Sequence, residues 1–86
     1  MGKLFKNLIN QFLEIDNASD MEDFLKGILT PKEIDEIQVR LEIIRLIKKG
    51  VPQQKIASDL GIGIATVTRG SRELKLGRFK VVKGKK

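Results

Sequence analysis

One stretch of the sequence carries side chains suited to contact with a nucleic-acid duplex, and it runs from Ile64 to Lys75. On a helix, at about 100° per residue, one face of this stretch lies opposite Val67 and presents small, hydroxyl and guanidinium groups. Threonine and arginine donate hydrogen bonds to base edges and phosphates, and small residues let the backbone approach a groove floor. A face that only meets solvent more often carries Glu and Lys. The residues of this face are Ala65, Thr66, Thr68, Arg69 and Arg72.

Two short helices joined by a tight turn are needed to position this face. The spacing A-x3-G-x5-V, found at Ala57, Gly61 and Val67, predicts such a unit over about residues 53–75. The alanine is small where the helices cross, the glycine supplies a positive φ, and the valine enters the core between the helices. The inner stripe of the second helix is expected to be Ile64, Val67, Ser71 and Leu74.

The positive charge of the chain is concentrated in its last third. The net charge is +6, but residues 1–52 carry a net charge of −1 and residues 53–86 carry +7. Charge that serves only solubility would be scattered, whereas a partner built of phosphates favours this concentration. A solvated basic tail is the alternative interpretation. The start of the basic region inside the two-helix unit weighs against it.

The residue types that are missing exclude several kinds of site. Without cysteine there is no disulfide, and without cysteine or histidine we expect neither a zinc site nor the usual nucleophile–base pairs of enzymes. No apolar run approaches the roughly 20 residues that span a bilayer, and the N-terminus lacks a signal-peptide pattern. The sequence therefore predicts a cytoplasmic protein that is not an enzyme and uses no metal, cofactor or membrane.

Three helices are expected to precede the two-helix unit. Apolar residues predict the first over about residues 3–15. Ser19, with Glu22 completing a capping box, predicts the start of a short second helix that stops at Gly27. The third is predicted to begin with a capping box at Thr30, Pro31 and Glu33, and to end at Gly50.

The third helix offers more apolar surface than two short helices can cover. Two arrangements would bury it: a fully enclosed central helix in a monomer, or a helix pair shared between two subunits. A monomer of 86 residues buries only ~60–65% of its unfolded surface, so we favour the dimer. The expected fold is all-α, with five short-to-medium helices in one domain over residues 1–76, assembled as a dimer that shares a helix pair, and a basic tail over residues 77–86.

The basic tail reads GRFKVVKGKK and contains five basic residues and no acid. Phe79, Val81 and Val82 alternate as in a short strand, but the sequence offers no partner strand. We therefore expect a flexible arm, disordered in the free protein, that touches the phosphate backbone of a duplex.

The run GIGIATVTRGS at residues 61–71, preceded by LTP at residues 29–31 and a long helix with a basic end, resembles the Trp repressor family. The resemblance extends from about Leu29 to Lys75, roughly half of the chain. It implies an all-helical, intertwined homodimer that binds palindromic operators in double-stranded DNA and represses transcription. In the members that sense tryptophan, L-tryptophan acts as corepressor.

The resemblance also implies roles for single residues. It places seven residues in contact with DNA: Gln53, Ile64, Ala65, Thr66, Thr68, Arg69 and Lys75. Beside the resemblance, Lys55 and Arg72 are expected to contact phosphates, and Gln54 completes the predicted DNA-contacting set. Arg40 and Arg69 match the arginines on either side of the indole ring, and Gly70 matches a glycine that lets the ring lie close. Thr30 matches the edge of the pocket, and the carbonyl of Leu29 would face the amino group of the ligand.

Two departures from the family pattern leave the effector open. Glu73 stands where tryptophan-sensing members have a serine near the ligand carboxylate, and a carboxylate there would repel that of the amino acid. The turn at residues 50–52 is also one residue shorter than in those members. Arg40 has an alternative role in an ion pair with Glu33 or Glu36.

These observations predict a sequence-specific, dimeric DNA-binding regulator that acts as a repressor. One alternative is a regulator of the same fold that needs no ligand. Another is the DNA-targeting module of a recombinase or transposase, which would require catalytic acids on a separate subunit. In a third, the face over residues 65–72 docks an acidic protein instead of DNA.

Overall fold

A computed structural model describes residues 2–84 of the chain, which form five helices and no strand. They are α1 (Lys3–Glu14), α2 (Ala18–Ile28), α3 (Pro31–Lys48), α4 (Gln53–Leu60) and α5 (Ile64–Lys75). The predicted all-α class with five helices is confirmed. The chain forms two compact units, Met1–Ile34 and Asp35–Lys86, and the single domain over residues 1–76 stays a prediction. None of the described helices is long and apolar enough to cross a membrane.

In the first unit, α1 and α2 have no buried side chain. The rings of Phe12 and Phe24 pack edge to face, with centroids 5.3 Å apart and ring planes at 78°. This arrangement is favoured because the positive edge of one ring meets the negative face of the other. Leu4 and Leu13 are 84% and 77% exposed. In the single chain, α1 therefore presents apolar side chains to solvent.

Both ends of α2 differ from the prediction. Asn17 is the N-cap, because its backbone is extended and its side-chain oxygen accepts a hydrogen bond from the Asp20 amide at 2.9 Å. Asparagine caps a helix as well as serine does, so α2 begins before Ser19, and the predicted capping box of Ser19 and Glu22 is wrong. Gly27 does not stop the helix, since α2 continues one residue beyond it.

The predicted capping box at the start of α3 is confirmed. The Glu33 amide donates to Oγ1 of Thr30 at 3.1 Å, and the Thr30 amide donates to Oε1 of Glu33 at 2.8 Å. At the other end, Gly50 has a φ of +90°, and the Val51 amide donates to the carbonyl of Leu46 at 3.1 Å. This left-handed turn satisfies a carbonyl group that the helix leaves free.

The core of the second unit joins three helices. Ile43 of α3, Ile56 of α4 and Val67 of α5 are at most 1% exposed, which confirms the predicted burial of Val67. Partly buried residues pack around them: Val39, Leu46, Ile47, Val51, Ala57, Leu60 and Ile62. Ile64, in contrast, is 47% exposed. Its predicted place in the inner stripe is wrong, because it is the first residue of α5 and precedes the turn that enters the core.

Candidate nucleic-acid interface

The turn between α4 and α5 sets the geometry of the two-helix unit. Gly61 has a φ of +66° and a ψ of +37°, a left-handed conformation that costs a residue with a Cβ about 1–2 kcal/mol. The Ile62 amide donates to the carbonyl of Ala57 at 3.0 Å and closes the end of α4. The chain then enters α5, which packs on α4. The positive φ predicted for Gly61 is confirmed.

A hydrogen bond between side chains ties α4 to α5 near the solvent. The Thr68 hydroxyl donates to Oε1 of Gln53, the first residue of α4, at 3.0 Å. This bond leaves the two amide protons of Gln53 and a lone pair of Thr68 available to another partner. The fold thus brings together two of the residues predicted to contact DNA.

The outer side of α5 is exposed and cationic. We call it the recognition face, and it consists of Ile64, Ala65, Thr66, Thr68, Arg69, Arg72 and Lys75. Among residues 2–84, none of its three cationic side chains forms an ion pair. Guanidinium and ammonium groups in this state are available to phosphate oxygens. The exposure predicted for this side of the helix is therefore present, and the contact roles of its residues stay predictions.

The first turn of α4 lies next to this face in the two-helix unit. Gln54 and Lys55 are exposed, and Nζ of Lys55 lies 3.2 Å from Oδ2 of Asp59, one turn further along α4. Both side chains are more than half exposed. An exposed pair at this spacing is worth only about 0.3–0.5 kcal/mol. A phosphate can therefore replace the carboxylate as the partner of Lys55.

A cavity of about 450 Å³ opens between α3 and α5. It is lined by Arg40, Ile43, Ile44, Ala65, Thr66, Arg69, Gly70, Glu73 and Phe79. The structure therefore brings together three of the residues that the resemblance assigned to an effector, namely Arg40, Arg69 and Gly70. Leu29 and Thr30 are not among the lining residues.

The charged groups of the cavity are two guanidinium groups and one carboxylate. Among residues 2–84, Arg40 forms no ion pair, so the alternative pair with Glu33 or Glu36 is not formed in this structure. Oε1 of Glu73 lies 3.6 Å from Nε of Arg78, in the segment that follows α5. The cavity thus combines Arg40 and Arg69 with the carboxylate of Glu73.

Gly70 has a packing role that the sequence did not predict. A Cβ at this position would lie 3.1 Å from Cγ2 of Ile43 and 3.3 Å from Cδ1 of Ile44, closer than the ~3.5–4.0 Å of a relaxed contact between carbon atoms. The missing side chain therefore lets α5 pack closely on α3. The sequence did contain a signal for this role, namely a glycine in the middle of a predicted helix. Glycine there destabilises the helix by about 1 kcal/mol relative to alanine, so a packing or functional role is expected to offset this cost.

The chain turns back after α5 instead of forming a strand. Gly77 has a φ of +94°, and the Arg78 amide donates to the carbonyl of Glu73 at 3.1 Å. A second turn follows, in which the Val82 amide donates to the carbonyl of Phe79 at 3.1 Å. The alternation of apolar residues in the tail therefore belongs to a turn.

Lys48, at the end of α3, holds this second turn. Its ammonium group donates to the carbonyl oxygen of Phe79 and, at 2.6 Å, to that of Val82. The described part of the tail therefore contacts the end of α3. That the tail is flexible in the free protein stays a prediction, and Lys85 and Lys86 lie outside the described residues.

The fold and the recognition face define a class of protein. A helix-turn-helix unit whose second helix presents an exposed cationic face is typical of proteins that bind DNA. The model of the family described as Trp repressor protein matches residues 3–82. The chain belongs to the Trp repressor family, whose members are DNA-binding regulators and not enzymes.

Curated relatives carry the description Trp operon repressor homolog. The protein of Actinobacillus succinogenes is 45% identical over 56 residues, that of Mannheimia succiniciproducens 44% over 61, and that of Vibrio vulnificus (strain YJ016) 48% over 53. These segments cover 64%, 70% and 60% of this chain, and 55%, 60% and 52% of the relatives. The chain thus spans just over half the length of the curated relatives it matches. No solved structure gives a significant match.

Proposed function

We propose that the protein is a sequence-specific DNA-binding regulator of transcription that acts as a repressor. The recognition face carries this proposal, because hydroxyl groups and exposed cations share one side of a helix that Val67 anchors in the core. Thr66 and Arg69 would make most of the base contacts, and the other cations would contact phosphates. If the operator lies on the chromosome, the protein would repress transcription in the cytoplasm.

A homodimer would bring two recognition faces to one palindromic operator. In helix-turn-helix dimers, the two recognition helices enter successive major grooves about 34 Å apart. The proposal is supported by apolar side chains that the single chain leaves exposed, among them Leu4 on α1 and Ile37 and Leu41 on α3. Exposed apolar side chains of this kind favour association with another copy, which would bury them.

Selection of bound sequences from a random duplex pool tests this function. We expect the recovered sequences to share a motif of two symmetric half-sites, centred about 10 base pairs apart. The double variant Thr66→Ala/Arg69→Ala is the matched control, because both side chains are exposed and their loss should spare the fold. A pool that stays random would contradict sequence-specific binding, and an asymmetric motif would contradict the symmetric dimer.

A regulator that needs no free effector is a second candidate, and the lining of the cavity favours it. The carboxylate of Glu73, which lines the cavity, would oppose that of L-tryptophan. Thermal unfolding separates the candidates, because a corepressor raises Tm by linkage and Arg40→Ala would abolish the rise. If millimolar tryptophan does not change Tm, the result favours the regulator that needs no free effector.

A further inference from the structure

One ammonium group at the end of α3 contacts both ends of a turn in the tail. Lys48 is the last residue of α3, and its ammonium donates to the carbonyl oxygens of Phe79 and Val82. The Val82 amide donates in turn to the Phe79 carbonyl at 3.1 Å. Because an ammonium group has three donors, it can hold two carbonyl oxygens at once. A single side chain of α3 therefore fixes the turn over residues 79–82.

The backbone of the tail meets the end of α3 at a second point. A Cβ on Gly84 would lie 2.8 Å from the carbonyl carbon of Lys48 and 3.0 Å from the amide nitrogen of Lys49. Relaxed contacts between carbon atoms are ~3.5–4.0 Å long, and backbone atoms cannot rotate away as the end of a side chain can. Only a residue without a side chain fits this contact. The tail is therefore attached at two points, through a lysine side chain and through a close approach of backbones.

The conformation of Phe79 also indicates a turn that its surroundings hold. Phe79 has a φ of +64° and is the only non-glycine residue with a positive φ among residues 2–84. A bulky residue adopts this conformation at a cost and keeps it only where other contacts fix it. The two hydrogen bonds that the Phe79 carbonyl accepts, from Lys48 and from Val82, are such contacts.

The attached segment carries cations that face no carboxylate of its own. Residues 77–84 contain no acid. Lys80 and Lys83 are exposed, and among residues 2–84 neither forms an ion pair. The segment directly follows the last turn of α5, where Arg72 and Lys75 belong to the recognition face. Exposed ammonium groups in this state attract phosphate oxygens.

We propose that residues 77–84 form an arm docked on the end of α3, and that the docking holds Lys80 and Lys83 in place as a phosphate-binding surface beyond the recognition face. Lys48 is then a positioning residue, because it acts through the arm. An arm that is already ordered loses less conformational entropy on binding than a flexible one. The phosphate contacts rest on the proposed function, whereas the docking does not. The flexible arm expected from the sequence is the alternative.

NMR relaxation of the backbone amides tests the docking without DNA. We expect order parameters of about 0.85 for residues 78–83 of the wild type, as in rigid backbone, and below about 0.6 in Lys48→Met. Lys49→Met is the matched control, because it removes the same charge from the neighbouring exposed residue, whose ammonium makes neither bond to the tail. Its arm should stay as ordered as that of the wild type.

Gly84→Ala tests the second attachment independently of charge. The added Cβ would collide with the backbone of Lys48, so the order parameters of the arm should fall. In the control Gly27→Ala, the added Cβ meets no atom within 4 Å, and the arm should not change. A mobile arm in the wild type, or an arm that stays rigid in both Lys48→Met and Gly84→Ala, would overturn the docking.

Binding to DNA tests the phosphate-binding surface. The double variant Lys80→Ala/Lys83→Ala should bind the selected sequence and random duplex at least about tenfold more weakly, because phosphate contacts carry no sequence information. The magnitude of the salt slope should fall by about 2 for each bound chain, one unit for each lysine. Lys3→Ala/Lys6→Ala removes the same charge from α1 and should leave the slope unchanged. An unchanged slope in Lys80→Ala/Lys83→Ala would overturn the surface.

A double-mutant cycle tests whether the docking matters for binding. The loss caused by Lys80→Ala/Lys83→Ala should shrink to about threefold or less in the Lys48→Met background, and should stay at its full size in the Lys49→Met background. Equal losses in the two backgrounds would overturn the positioning role of Lys48. Tighter binding by Lys48→Met would mean that the docked arm covers the DNA-binding surface, which also overturns the proposal.

Failure of the proposed function is distinguishable from failure of the docking. If the wild type binds no duplex even at low salt, the proposed function and the phosphate-binding surface fail together. The relaxation experiments use no DNA, so they still decide whether the arm is docked.

Discussion

Arg69 belongs to two surfaces of the second unit. It is exposed on the recognition face and it also lines the cavity between α3 and α5. A change in the cavity can therefore move a side chain proposed to read bases. Thr66 likewise is exposed on the recognition face and lines the cavity, so both residues proposed to determine sequence preference belong to the two surfaces.

Thr66→Ala and Arg69→Ala should each weaken binding to the selected sequence by about 1–3 kcal/mol, the value of a specific base contact. Binding to random duplex should fall much less for Thr66→Ala, because phosphates carry that affinity. Fluorescence anisotropy with both duplexes at one salt concentration measures the difference. Lys26→Ala removes the same charge as Arg69→Ala from the exposed surface of α2, and should leave both affinities unchanged. Equal losses on both duplexes would make Thr66 and Arg69 phosphate contacts only.

Gly70→Ala should destabilise the protein, because the added Cβ would lie 3.1 Å from Ile43 and 3.3 Å from Ile44. Overpacking of this kind costs about 1–3 kcal/mol. The matched control is Gly27→Ala, since a Cβ on Gly27 meets no atom within 4 Å and alanine favours a helix over glycine by about 0.5–1 kcal/mol. Urea unfolding should thus move the two midpoints in opposite directions. A stabilised Gly70→Ala variant would show that α5 does not pack closely on α3.

At the scale of elements, left-handed glycines define where three of the helices end. α3, α4 and α5 each end in a left-handed glycine, at Gly50, Gly61 and Gly77. After each of them an amide returns to a carbonyl of the preceding helix, so each helix ends at a defined residue and the chain leaves in a defined direction. The turn at Gly61 thereby sets α5 on α4, and the turn at Gly77 directs the tail back toward α3.

The start of α2 can be tested directly. Asn17→Ala should lower the free energy of unfolding by about 0.5–2 kcal/mol, because it removes the acceptor of the Asp20 amide. Ser19→Ala should cost little, since Ser19 lies inside the helix and alanine is the better helix former. Urea denaturation of the two variants measures the difference. A larger loss for Ser19→Ala would place the start of α2 where the sequence had predicted it.

At the scale of the whole molecule, charge and apolar surface are separated along the chain. The net charge of residues 53–86 is +7, whereas that of residues 1–52 is −1. Among the helical residues, the most exposed large apolar side chains are on α1. This separation fits a protein whose first helices associate with a second copy and whose last third meets a polyanion.

The affinity for DNA should depend steeply on salt. If a dimer neutralises about 8 phosphates, the logarithm of the binding constant should fall with the logarithm of salt concentration at a slope near −7. Anisotropy titrations at several salt concentrations measure this slope. Arg72→Ala in a dimer should reduce its magnitude by about 2, one unit for each subunit. An affinity that hardly changes with salt would contradict the electrostatic basis of binding.

Local patterns in the sequence were sufficient for most of the fold. The capping box at Thr30 and Glu33, the positive φ at Gly61 and the burial of Val67 follow from interactions within a few residues or from the helical period. The exposed side of α5 followed from the same period. The start of α2 was misplaced because Asn17 and Ser19 are equally good caps, and only the backbone conformation distinguishes them.

The sequence by itself therefore determined the helices, the helix-turn-helix unit and the residues of its cationic face. Only the tertiary structure decided that Gly70 packs against Ile43 and that Phe79 is one of the residues lining the cavity. The hydrogen bond from Lys48 to Phe79 joins residues that are 31 positions apart, and no periodic pattern encodes such a pair. The contact between Lys48 and the tail depends on how the chain turns back after α5, which is a property of the folded chain and not of a local pattern.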